Sequence, residues 1–115
     1  METKTAVAAL SALAHAGRLE IFRLLVRAGP AGLAAGEIAR QADSLPNTLS
    51  ANLNVLSHAG LVTSRREGRS VIYAAAYEQM TGLLSFLVED CCGGDAAICA
   101  PLAEIAQRNA CCEPA

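Results

Sequence analysis

The run Pro46-Asn47-Thr48-Leu49-Ser50-Ala51-Asn52-Leu53-Asn54-Val55-Leu56-Ser57-His58-Ala59-Gly60-Leu61-Val62 decides how the chain folds. Leu49, Leu53 and Leu56 recur at the spacing of one helical face, so this face turns to a core. Pro46 suits the first helical turn, where a missing N–H costs nothing. Gly60 supplies the stop. At Leu61 the period changes. Leu61-Val62-Thr63-Ser64-Arg65-Arg66 reads as a strand, Glu67-Gly68 as a tight turn and Arg69-Ser70-Val71-Ile72-Tyr73 as the returning strand.

Upstream, Ala35 to Ala42 forms a short helix anchored by Ile38, and Asp43-Ser44 makes the turn into the longer one. Leu19, Phe22 and Val26, flanked by Ile21 and Leu25, mark a helix stopped by Gly29-Pro30. Val7, Leu10, Leu13 and Ala14 mark a first one. Downstream, Met80, Leu83, Leu84, Leu87 and Val88 form the stripe of a packed helix ending near Cys91 and Cys92. Pro101 opens a last helix carrying Leu102, Ile105 and Ala106. Two short strands cannot stand alone, so the hairpin must lean on the helices. The fold expected is mainly α with a small β-hairpin wing, a winged helix-turn-helix.

The 115 residues make one domain, residues 1–115, with a cysteine-rich segment at about 89–115. Hydrophobic residues reach 53% but aromatics only 3%. Much of that apolar fraction is Ala, which favours helices in close contact and a core completed by dimerisation. The longest charge-free stretch, Ser44 to Ser64, contains Pro46, Gly60 and three Asn, so it does not cross a bilayer. Glu2 and Lys4 near the start, with no cleavage site after an apolar run, do not make a signal peptide. A cytoplasmic protein without membrane contact is expected.

A net charge of −2 argues at first against a nucleic-acid partner, but its distribution permits one. Through Tyr77 eight Lys or Arg face five acids, whereas from Glu78 onward Arg108 stands alone against six. With Leu49, Leu53 and Leu56 inward, Asn47, Ser50, Ala51 and Asn54 point outward, with Thr48 and Asn52 at the flanks. An ordinary solvated face would be rich in Lys and Glu. This one is short, polar and uncharged, as a helix approaching base edges in a major groove must be. Arg65, Arg66 and Arg69 surround the hairpin turn, where they reach phosphates or a minor groove. Alone they would equally be a charged edge that discourages strand aggregation. Beside a helix-turn-helix they make a DNA-binding wing, and the partner is operator double-stranded DNA.

These residues resemble a known family. Arg18-Leu19-Glu20-Ile21-Phe22-Arg23-Leu24-Leu25 is similar to the second helix of ArsR/SmtB-type repressors. Thr48 to Val62 resembles their recognition helix and its exit into the wing. Arg65-Arg66-Glu67-Gly68-Arg69 with Val71-Ile72-Tyr73 resembles the wing itself. The resemblance runs roughly from Leu10 to Val88. It implies a homodimer joined through Val7, Leu10 and Leu13 of the first helix and Met80, Leu83, Leu84 and Leu87 of the fifth. It also implies repression of a resistance operon until an inducer binds. Where the family often has His after the recognition-helix Ser, this chain has Ala51. The operator sequence therefore does not carry over.

The family's familiar inducer sites are missing. No Cys lies in Ala35–Ala42, and no His follows His58. What remains is the thiol cluster of Cys91, Cys92, Cys99, Cys111 and Cys112. Five clustered thiols in a reducing compartment point to metal or redox chemistry rather than a disulfide scaffold. Gly93-Gly94 lets the chain turn back, and Cys99 precedes the Pro101 helix start, where thiolate is favoured. Cys91, Cys92 and Cys99 together suit a three-coordinate thiophilic ion, trivalent arsenic (arsenite) or antimony, with Cys111 and Cys112 as possible extra ligands. Cys91 also continues the apolar stripe through Leu83 and Leu87, as a packed core thiol would. Zinc is a rival, although adjacent cysteines are unlike structural zinc spacing. A thiol-redox sensor is another. A small thiol reductase acting on arsenic compounds fits less well, because Glu89, Asp90 and Asp95 raise the thiol pKa values. A catalytic role is not expected.

Overall fold

The computed structural model describes residues 1–88. Eight elements follow one another: α1 (Thr3–Leu13), α2 (Ala16–Ala28), β1 (Leu33–Ala34), α3 (Ala35–Ala42), α4 (Pro46–His58), β2 (Val62–Glu67), β3 (Ser70–Ala75) and α5 (Tyr77–Val88). The expected continuation of α5 to Cys91 and Cys92, the Pro101 helix and the whole cysteine site lie outside the described residues. Two units divide at α5, Met1–Leu83 and Leu84–Ala115.

The core of the first unit is aliphatic apart from Phe22. Ile21 and Leu25 from α2, Ile38 from α3, Leu56 from α4 and Leu61 are almost fully sequestered from water. Each such side chain contributes about 1.5–3 kcal/mol by leaving water. Leu49, Leu53 and Leu56 are all buried, as the spacing required. On α2 the buried set is Ile21, Phe22 and Leu25, whereas Leu19 is exposed and Val26 only half-buried. Both sets satisfy helical spacing, so the apolar run left the direction of the buried face open, and packing chose the second. In α1 the buried residues are Ala6, Ala9 and Ala12. Small side chains let α1 approach α2 and α4 closely, and Val7 and Leu10 face out.

Local chemistry fixes the joints. The His15 imidazole is the N-cap of α2, its Nδ1 accepting from the N–H groups of Gly17 and Arg18 at 3.1 and 3.4 Å. Arg18 Nε donates back to the carbonyl of Ala12 near the end of α1. The α2 carbonyl of Val26 receives the Tyr77 hydroxyl at 3.0 Å, which satisfies one of the acceptors a helix end leaves open. Asp43 ends α3 in the left-handed region at φ 50°, a conformation Asp tolerates better than most. Pro46 opens α4, and Gly60 at φ 79° lets Leu61 N–H return to the Leu56 carbonyl at 3.0 Å.

The hairpin is shifted by one residue at its turn. Its strands run Val62–Glu67 and Ser70–Ala75, with Glu67 opposite Ser70. The loop is therefore Gly68-Arg69, not Glu67-Gly68, because the glycine must take the first loop position at φ 63°. A third strand joins it. Leu33 and Ala34 pair with Tyr73 and Ile72, giving the order β1-β3-β2. Two residues are too few for an alternating pattern, so this strand has no sequence signal beyond a glycine. Gly32, at φ 70°, lies where a Cβ would be 2.3 Å from the Tyr73 carbonyl oxygen.

Two glycines should therefore respond oppositely to alanine. Gly32→Ala meets both a left-handed backbone and the Tyr73 carbonyl, and should cost at least about 2 kcal/mol in urea unfolding. Gly36→Ala, in α3 with nothing near its would-be Cβ, should gain about 0.4–1 kcal/mol. Equal effects would contradict this account of the β1 approach.

Candidate nucleic-acid interface

α3 and α4 form the helix-turn-helix, with Asp43, Ser44 and Leu45 between them. Burial of Leu49, Leu53 and Leu56 rotates α4 so that Asn47, Thr48, Ser50, Ala51 and Asn54 are all exposed. None of these carries a charge, and none is long enough to hold the helix backbone away from a groove. Asn52 departs from its expected flanking place. It is only 7% exposed, against Gly17 in the first turn of α2. Its amide donates to no residue among those described, and no fully buried polar side-chain atom there lacks a partner. The amide therefore keeps contact with water through a groove of about 320 Å³ that His15, Glu20, Asp43 and Thr48 also line. The helical wheel already set Asn52 at a flank and Asn54 outward; Gly17, against which Asn52 is buried rather than merely flanking, lies far off in the chain.

The cations divide into engaged and unengaged groups. On α3, Arg40 pairs with Glu37, whose carboxyl also accepts from Gln41 Nε2 at 2.7 Å. The Arg40 hydrogen bond first, and the Gln41 bond second, hold the Glu37 carboxyl down at about 2. A depressed acid loses its contribution as pH falls through that folded value, so the pair persists throughout the neutral range. On β2, Arg65 donates from Nε to Glu67 at 2.7 Å and from its terminal nitrogens to the carbonyls of Ala31 at 2.6 Å and Pro30 at 3.5 Å. Arg66, on the opposite face of the strand, and Arg69, in the loop, are exposed and make no side-chain bond among the described residues. Among those residues, no three His, Cys, Asp or Glu stand close enough to hold a metal ion.

The residues expected at a dimer contact also divide. Val7 is 58% and Leu10 41% exposed; Leu84 and Leu87 are exposed too. Leu13 and Met80 are half-buried. Leu83 is different: only 5% exposed, it is a core residue of its own chain. No helix among the described residues is long and apolar enough to cross a membrane.

Known proteins share this arrangement. A family described as a helix-turn-helix domain matches residues 13–65. The chain is similar to a homodimeric winged helix-turn-helix DNA-binding domain of Mycobacterium bovis, a possible ArsR-family transcriptional regulator. The two are 31% identical, with a TM-score of 0.61, covering 76% of this chain and 81% of that one. It is similar to HlyU of Vibrio cholerae at 33% identity and TM-score 0.60, covering 76% and 97%; HlyU is also known in a reduced form. An ArsR-like transcriptional regulator of Rhodococcus sp. RHA1 is 26% identical with a TM-score of 0.69, covering 90% and 92%. No curated protein matches.

The Gly17–Asn52 contact gives a direct test of how α4 is held. A Cβ at position 17 would be 3.2 Å from both Asn52 Nδ2 and His15 Cε1. Gly17→Val should crowd both and cost about 1–3 kcal/mol on thermal unfolding. A second change, Asn52→Ala, should recover part of that loss. Additive losses in the double variant would mean the two residues do not press on each other.

Proposed function

The chain belongs to the ArsR family of winged-helix transcriptional regulators, and on that premise we propose that it represses a metalloid-resistance operon from which trivalent arsenic releases it. The DNA half of this reading is carried by one observation, the exposed and uncharged outer face of α4. Asn47, Thr48, Ser50, Ala51 and Asn54 read the major groove, where Asn side chains pair bidentately with adenine. Wing cations among Arg65, Arg66 and Arg69 hold phosphate. Such a regulator acts in the cytoplasm, on the chromosome, and its relatives are regulators rather than enzymes. The thiol-reductase alternative is therefore set aside.

A single protomer offers one short reading helix, so the repressor acts as a homodimer on an inverted repeat with half-sites about 34 Å apart. Exposed Val7 and Leu10 on α1, and exposed Leu84 and Leu87 on α5, supply apolar surface for the contact. Leu10→Glu leaves the buried Ala6, Ala9 and Ala12 intact and should yield a folded monomer by light scattering, with operator affinity abolished. A variant that stays dimeric would move the interface away from α1.

The inducer half rests on the thiols of Cys91, Cys92 and Cys99. Three soft thiolates close to one another satisfy a pyramidal trivalent arsenic or antimony ion. A ligand shifts an equilibrium only by its differential affinity for two states, so the ion must favour a form the operator disfavours. Arsenite in slight excess should release the chain's own upstream DNA in a gel-shift assay. Cys92→Ser and Cys99→Ser should bind that DNA and no longer respond, whereas Cys111→Ser with Cys112→Ser should keep most of the response. Normal arsenite release from the first two variants moves the sensor elsewhere. A thiol-redox sensor is the second reading, favoured by the reduced form in which the similar HlyU is known; release by peroxide without arsenite would select it. Release by zinc alone would select a zinc sensor.

A further inference from the structure

Arg65 has the charge of a phosphate contact and the hydrogen bonds of a brace. Its Nε donates to Glu67 two residues along the same face of β2, at 2.7 Å. Its terminal nitrogens donate to the carbonyls of Ala31 and Pro30, at 2.6 and 3.5 Å, more than thirty residues away in sequence. All three nitrogens of the guanidinium are thus engaged, and the plane of the group is fixed between the hairpin and the segment that follows α2. That segment is itself constrained. Gly32 passes against the Tyr73 carbonyl with no room for a Cβ, and Leu33 opens the β1 pairing with β3. Arg65 therefore ties the outer strand β2 directly to the segment leading into β1, which itself pairs with β3 rather than β2. Arg66 and Arg69 have no such partners among the described residues.

We propose that Arg65 is a positioning residue, a guanidinium brace that sets the angle of the wing while Arg66 and Arg69 meet the phosphates. This inference rests on the DNA-binding reading and divides its three wing cations into two roles. The chemistry selects arginine. Planar donors on three nitrogens reach a carboxylate and two carbonyls at once; the compact ammonium of lysine cannot span them. A phosphate contact is less demanding, since a lysine serves there as a point charge.

The two roles separate by salt dependence. Removal of one cation from a phosphate lowers the slope of log affinity against log salt by about 0.9. Full-length protein would be titrated with a mixed-sequence duplex of about three helical turns across a salt series. Each substitution removes one contact from both protomers of the homodimer, so R66A and R69A should each flatten the slope by about 1.8, and R66K and R69K should restore it. R65A should weaken binding about five- to tenfold with the slope unchanged, and R65K should fail to rescue it. Amide exchange needs no DNA and provides the independent arm. R65A should lose protection across residues 63–74 while α2 and α4 keep theirs. A flattened slope in R65A that R65K restores overturns the brace, as does unaltered exchange across the hairpin. Wild-type protein that binds no duplex at any salt overturns the DNA reading instead, and the exchange result still decides whether the brace exists.

Discussion

Burial of Leu49, Leu53 and Leu56 on one side of α4 governs what the rest of the molecule can present. A helix has one rotational setting that hides a given stripe, and that setting dictates which side chains meet solvent. Here it sends out Asn47, Ser50, Ala51 and Asn54. Ile38 of α3, and Ile21 and Leu25 of α2, complete the apolar bed on which α4 lies. The reading face therefore inherits its orientation from the same hydrophobic contacts that stabilise the fold. Truncating one of those leucines would misdirect the face as well as soften the core.

Around this core, polar contacts act mostly at joints. His15 caps α2, Arg18 reaches back to Ala12, Tyr77 closes the last turn of α2, and Arg65 spans from β2 to the residues after it. Two of these four bonds converge on the C-terminal end of α2, between Val26 and Ala31. The surface pair Glu37–Arg40 is of another kind, exposed and within one helix, and pairs of that kind contribute little. Side chains that connect separate elements fix geometry. Those that connect neighbours mainly neutralise charge.

Much of this was legible in the residues. The α4 stripe, the Pro46 start, the Gly60 stop and the short helix around Ile38 are local signals, and the structure follows them. Most of what escaped depended on residues distant in the chain. The strand Leu33–Ala34 is too short to show a period and exists because β3 lies beside it. The burial of Asn52 comes from Gly17, and the engagement of Arg65 from Pro30 and Ala31. On α2, two sets of apolar residues fitted a helix equally well, and only tertiary packing distinguished Ile21 and Leu25 from Leu19 and Val26. The hairpin turn moved by one residue because backbone handedness, rather than composition, placed Gly68.

α1 hides Ala6, Ala9 and Ala12 and shows Val7 and Leu10, an inversion of the usual order. Among the described residues, the fold of a single protomer thus leaves this apolar surface uncovered. Where a second copy covers that surface, stability acquires a mass-action term and rises with the amount of protein in the cell. A scarce regulator of this construction sits closest to unfolding and to proteolysis when its copy number is lowest. Its turnover is then coupled to its own abundance, through the size of two side chains on one helix.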